Sequence, residues 1–195
     1  MADINASAPP RPVESDPLPA PRVPGGAAPS SGESLVDLIE LLFFAYRNFV
    51  SDPDEVLQRF GFGRAHHRVL HFVNRHPGMR VTDLLDILRI TKQSLGRVLR
   101  ELVDQGFIDS RAGAADRRQR LLYLTPKGEA LARDFIALQS QRIGAALAEV
   151  GPDAREGTRR FLVAMIDPED RGPIERFIAK AERIAGDPPR RPAAG

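Results

Sequence analysis

Two short amphipathic runs lie only three residues apart, and few folds accept helices joined so tightly. Thr82 is placed to cap a helix over residues 83–88, and Thr91 a second over residues 92–105, with Arg89, Ile90 and Thr91 as the connection. On the second run Leu95, Val98, Leu99 and Leu102 recur at helical spacing, a stripe that has to be buried. Gln93, Gly96, Arg97 and Arg100 repeat that spacing on the opposite face. Residues 107–111 and 120–124 then read as the strands of a hairpin around a loop bearing Gly and Arg. A helix-turn-helix followed by such a wing aims one helix at a DNA major groove and the hairpin at the neighbouring minor groove.

Charge agrees with that placement. The net charge is only +2, but residues 64–127 hold thirteen basic against six acidic groups, whereas residues 33–63 hold two against six. A basic middle segment is the footprint of a polyanion partner, although a merely solvated surface gives the same count. The absence of cysteine removes disulfides, thiol sensing and Cys-based zinc sites. No apolar run approaches the ~20 residues of a membrane span, and the N-terminus lacks a secretory pattern. These features predict a cytoplasmic protein with no membrane partner.

The chemistry of the exposed face is specific. Arg can pair with guanine O6 and N7, and Gln with adenine N6 and N7, each pair discriminating by ~1–3 kcal/mol. Gly96 costs roughly 1 kcal/mol against Ala inside a helix, and close approach of DNA is a reason to keep it. Thr91, Lys92 and Ser94 stand at the helix start, where free N–H groups suit phosphates. In the loop, Arg117 and Arg118 are flanked by Arg111 and Arg120, cations that can sense the width of a minor groove. Asp116 is expected to pair with Arg118 and hold it extended.

The rest of the chain reads as helices around this motif. An apolar helix is expected over residues 34–49, capped by Ser34 and so widely apolar that it hints at a subunit interface. Asp52-Pro53 has the form of a new helix start, giving a short helix to about Phe60. A helix follows the Gly61-Phe62-Gly63 break and stops at His76-Pro77-Gly78, with Phe62, His66, Val69, Leu70 and Val73 on its apolar face. Arg64, His67, Arg68, His71 and Arg75 form a second stripe, either solvated or in contact with phosphate or a bound anion. Thr125-Pro126 starts a long helix to about Val150; Asp153 and Glu156 form a capping box for a helix to about Ile166. Asp167-Pro168 and Gly172-Pro173 interrupt, and a last helix runs from Pro173 to about Ala185.

His67 and His71 are four apart on a helix and could share a metal, but no Cys accompanies them and the arginines of their face oppose a cation. No metal and no cofactor is expected, and the histidines read as core or pocket-lining groups that could titrate near neutral pH or hold an anion. Enzyme signatures are missing: there is no Walker loop, Gly-x-Ser-x-Gly, His-Glu-x-x-His or GxGxxG.

Residues 62–128 resemble the winged helix of the MarR family of transcriptional regulators. The strings FGRAHHRVL at 62–70, TDLLDIL at 82–88, KQSLGRVLREL at 92–102 and GFI at 106–108 carry the likeness. So does DRRQRLLYLTPKG at 116–128, in which Asp116, Arg118, Leu124, Thr125 and Gly128 match the family's wing signature. FGFGRAHHRVL at 60–70 further resembles a PetP-like subgroup. The resemblance covers about 150 residues and implies a homodimer built from the first and last helices, acting on a pseudo-palindromic operator. It also implies a small anionic or phenolic effector, for which Arg64, His66, His67 and His71 are the candidate pocket.

The expected fold class is thus mainly α with a small β-hairpin wing (α+β), a winged helix-turn-helix embedded in a helical dimerisation domain. Residues 1–32 are expected to be a disordered N-terminal tail, 33–60 the N-terminal dimerisation helices and 61–125 the DNA-binding region. Residues 126–185 follow as C-terminal dimerisation helices and 186–195 as a disordered tail. The expected function is a sequence-specific, ligand-responsive transcriptional regulator bound to double-stranded DNA through Thr91, Lys92, Gln93, Ser94, Arg97, Arg100, Arg111, Asp116, Arg117 and Arg118. The alternative is a non-sensing DNA-architectural or protein-interaction winged helix.

Overall fold

The computed structural model describes residues 34–113, 116 and 118–186; the two tails up to residue 33 and from 187, and Ala114, Ala115 and Arg117 in the wing loop, lie outside the described residues. The described chain runs α1 (Val36–Gln58), α2 (Arg64–Arg75), β1 (Met79–Arg80), α3 (Val81–Leu88), α4 (Lys92–Asp104), β2 (Ile108–Ala112) and β3 (Arg120–Leu124). Three helices complete it: α5 (Pro126–Val150), α6 (Ala154–Ala164) and α7 (Pro168–Gly186). Helices dominate, and the strands form one antiparallel sheet in the order β1-β3-β2.

The core is the meeting of α2, α3 and α4 with the sheet. Val69, Leu70 and Val73 of α2, Leu84 of α3, and Leu95 and Leu102 of α4 are wholly buried, with Phe107, Ile108 and Leu122 from the sheet side. Burying a Leu or Val side chain contributes ~1.5–3 kcal/mol, so this cluster outweighs any local preference of its elements. The apolar face expected for α2, including Phe62 and His66, is the buried one.

Caps explain several element boundaries. The Thr91 hydroxyl accepts the Ser94 N–H at 3.1 Å, and the Thr125 hydroxyl accepts the Gly128 N–H at 3.1 Å, with Pro126 at the first helical position. Between α3 and α4 the chain turns at Arg89, whose φ of 48° is left-handed. Gly106, with φ of 73°, reverses the chain into β2.

Five expectations are corrected. Asp52-Pro53 does not begin a helix: α1 continues through it, because Val50, Pro53 and Leu57 are buried and Asp52 takes the Arg142 guanidinium of α5 instead of capping. Ser34 lies two residues before α1, where its hydroxyl accepts the Val36 N–H at 3.4 Å, and Leu35 occupies the cap position. Thr82 is already inside α3, whose start is tied by the Arg80 N–H donating to Asp83 at 3.0 Å. Asp153 caps nothing through its side chain, so the expected box with Glu156 is not formed. Gly172-Pro173 does not interrupt α7, because the helix is held by its buried stripe, in which Phe177 stacks on His76 and Ala181 is enclosed. A strand was also missed: β1 pairs Met79 with Leu122 and Arg80 with Leu121.

Much apolar surface is left uncovered. Leu38, Ile39, Leu41, Leu42, Phe43 and Phe44 of α1 are all exposed, as are Phe161 and Leu162 of α6 and Met165 just after it. Within the described residues no helix is long and apolar enough to cross a membrane.

Candidate nucleic-acid interface

α4 is divided cleanly by burial. Leu95, Val98 and Leu102 are at most 3% exposed, which fixes the rotation of the helix. Gln93, Ser94, Gly96, Arg97 and Arg100 are consequently driven outward and line one shallow depression. Thr91 and Lys92 are exposed at its N-terminal end, beside the free N–H groups of the first turn. A Cβ added at Gly96 would meet nothing within 4 Å, so packing inside this chain does not require the glycine.

The face is not wholly free of constraint. Glu101 stands next to Arg97, with Arg97 Nε 3.9 Å from its carboxylate. His66 Nε2 lies 2.7 Å from the other carboxylate oxygen, and its Nδ1 accepts the Gly63 N–H at 3.1 Å. Because Nδ1 is an acceptor, Nε2 carries the proton and donates to Glu101. Nothing in the spacing of the residues pointed to Glu101, which sequence reasoning passed over.

The wing follows α4, with β2 packed against it. β2 and β3 pair from Ile108 opposite Leu124 to Ala112 opposite Arg120. The Arg111 guanidinium lies 4.7 Å from the Tyr123 ring centroid and 3.2 Å from Asp109. Arg120 is tied down, its guanidinium donating to the Ser110 hydroxyl and carbonyl. Arg118 is exposed near the tip. Asp116 does not grip the Arg118 side chain as expected: its carboxylate accepts the Arg118 main-chain N–H at 2.9 Å. That bond closes a turn two residues long, which a short carboxylate reaches more easily than a mobile guanidinium.

The four candidate pocket residues are dispersed. Arg64 pairs with Asp54 of α1. His66 is buried on Phe62 with ring centroids 4.5 Å apart, and His67 is buried on Phe135 at 4.6 Å. His71 alone lines the large cleft, about 820 Å³ between α2, α3, α5 and α7. That cleft is walled by Phe72, Ile87, Ile174 and Phe177, with the Arg89–Asp170 ion pair among its lining at 2.7 Å. His76, not singled out from the sequence, lines it as well and stacks on Phe177 at 3.7 Å.

His67, His71 and His76 are all pushed below the ordinary imidazole range. Burial, reinforced by His71, pushes His67 down to about 4. Burial, then Lys180, Arg75 and His71, does the same for His76, also to about 4. His71 is lowered by burial and by Arg75. Neutral rings cannot supply the cation for an anion; the cleft's cations are Arg75 and Arg89, the latter already paired with Asp170, and Asp86 lines it as well. No group of three or more His, Asp or Glu among the described residues could hold a metal ion.

Residues 60–119 match the model described as the MarR family. The HTH-type transcriptional regulator PetP of Rhodobacter capsulatus is 51% identical over 136 residues, covering 70% of this chain and 82% of that protein. Among solved structures, the transcriptional regulator SlyA aligns with a TM-score of 0.57 at 17% identity, over 76% of this chain and 99% of that one. MarR aligns at 0.53 and 20% identity, over 83% and 99%. The S. aureus MepR–DNA complex aligns at 0.55 and 18%, over 69% and 97%. These structures share the fold found here, a mainly helical chain with a small antiparallel sheet and a winged helix.

Proposed function

The chain belongs to the MarR family of transcriptional regulators, and on that premise we propose that it binds double-stranded DNA as a homodimer, each copy placing α4 in a major groove. The observation that carries this reading is the division of α4 by burial: one face locked in the core, the other presenting Gln93, Gly96, Arg97 and Arg100 to solvent. Base recognition falls to these residues, and phosphate contact to Thr91, Lys92 and Ser94. Arg111, Arg117 and Arg118 enter the minor groove, with Asp116 shaping the tip. The related PetP is an HTH-type transcriptional regulator, and the S. aureus MepR structure holds DNA.

The uncovered apolar faces of α1 and α6 supply the dimer contact. Two α4 helices then stand about one helical turn of DNA apart, ~34 Å, and read a pseudo-palindrome. The cleft between α2, α3, α5 and α7 is where a small effector would act, shifting the population of DNA-competent dimers. Its walls are aromatic and aliphatic, Asp86 lines it, Arg89 is paired with Asp170 and Arg75 is its remaining cation, a lining that suits an aromatic compound carrying one acidic group, such as a phenol.

Enrichment of duplexes with randomised cores tests the reading. The wild-type chain should select a two-fold symmetric sequence that it retains against excess random DNA. Arg97→Ala should lose ~1–3 kcal/mol of discrimination at one base pair per half-site. Arg118→Ala should weaken binding and flatten its salt dependence. Enrichment of no sequence, or equal losses on every sequence, would refute base reading by α4.

A further inference from the structure

Glu101 is an acid beside the face of α4 that the proposed reading turns toward DNA, where a carboxylate repels phosphates. The geometry gives it another task. One of its oxygens receives the proton of His66 Nε2 at 2.7 Å, and the other faces Arg97 Nε at 3.9 Å. The His66 side chain is only 10% exposed, packed flat on Phe62, and its tautomer is set by the Gly63 N–H. Glu101 is therefore anchored to the core through α2. The Arg97 side chain is 77% exposed and has Glu101 as its only ion-pair partner among the described residues. Arg100, on the same face, has none among them.

We infer that Glu101, held by His66, is a positioning residue that pre-sets Arg97 for base recognition, so that sequence preference depends on a pair that need not touch the duplex. The inference rests on the proposed entry of α4 into the groove. A guanidinium biased toward one side by a fixed neighbouring carboxylate loses less rotamer freedom on binding, a gain of about three- to tenfold. The sign of the effect is diagnostic. Neutralising Glu101 removes a repulsion from phosphate, so affinity for DNA in general should hold or rise while discrimination falls.

The test uses the full chain, the duplex that the wild type enriches, and a scrambled duplex of the same composition. The readout is the ratio of the two dissociation constants for wild type, Glu101→Gln, His66→Gln, Arg97→Ala, and Glu101→Gln combined with Arg97→Ala. Gln at position 66 can still reach back to the Gly63 N–H, so the start of α2 is kept while the donor to Glu101 is lost. Glu101→Gln and His66→Gln should each lower the ratio about three- to tenfold, and the double variant should match Arg97→Ala alone. Unchanged ratios in both single variants, beside a wild type that discriminates, overturn the inference. So does a double variant that discriminates less than Arg97→Ala, since Glu101 would then act independently. A wild type that enriches nothing fails one level lower and overturns the reading of α4 itself.

Discussion

Gly128→Ala is the substitution whose cost follows most directly from the structure. Gly128 sits in the first turn of α5, and a Cβ there would lie 2.1 Å from the Phe107 carbonyl oxygen. A carbon and a carbonyl oxygen settle at about 3.3–3.6 Å, so the two backbones must part by more than about 1 Å. That parting pulls on two bonds, the Thr125 N–H to the Phe107 carbonyl at 3.1 Å and the Thr125 hydroxyl to the Gly106 carbonyl at 2.7 Å. Each is worth ~1 kcal/mol, and overpacking around the buried Phe107 adds ~1–3 kcal/mol. Removing a helical glycine returns at most ~1 kcal/mol. The net expectation is a loss of about 2–4 kcal/mol. Urea unfolding followed by circular dichroism measures it, with the slope of the transition unchanged. A variant as stable as wild type would refute the idea that close contact between α5 and the base of the wing excludes every side chain here.

The remaining expectations concern binding, assembly and pH. Gly96→Ala should stabilise α4 by ~1 kcal/mol, since its Cβ would meet open space, yet weaken binding of the enriched duplex; a variant that binds DNA as well as wild type would remove the close-approach role. Phe43→Asp, at a position 69% exposed, should turn a dimer into a monomer in sedimentation velocity, and a wild type already monomeric would sink the dimer reading. His67 is held by burial at about 4 against an ordinary 6.5. The unfolded chain therefore binds the proton first, so stability is full above about 6.5, falls as pH drops toward 4, and levels off below. His67→Leu should make melting temperature less dependent on pH across that window, and an unchanged slope would assign the effect to other groups such as His76.

What could be read from residues alone was whatever local chemistry decides. Thr91 and Thr125 cap their helices within three residues, and the leucines of α4 set its rotation by spacing. Distant partners decided the rest. An internal proline costs ~3 kcal/mol or more, which made Pro53 and Pro173 look like breaks. Burial of Leu57 in one case, and the stack of Phe177 on His76 in the other, holds each helix through its proline. β1 is two residues long and has meaning only opposite Leu121 and Leu122. His67 lay among arginines on a stripe of α2 that the sequence left either solvated or facing an anion, and Phe135, sixty-eight positions along, buries it. In the candidate interface, the outward residues of α4 were legible. Glu101 was not, because its meaning comes from an imidazole that the fold brings across from α2.

The docking of α7 has a consequence for how the protein is made. Phe177 closes over His76, and Asp170 reaches Arg89 at the hinge between α3 and α4. The helix-turn-helix thus receives a wall of its cleft from a helix far along the chain, Asp170 lying 81 positions after Arg89. A nascent chain, or one halted by a premature stop before Pro168, would carry every group assigned to base reading and still leave Phe72 and Ile87 uncovered. The cleft would then close only once α7 had been made, and a product shortened before Pro168 should be cleared by proteolysis.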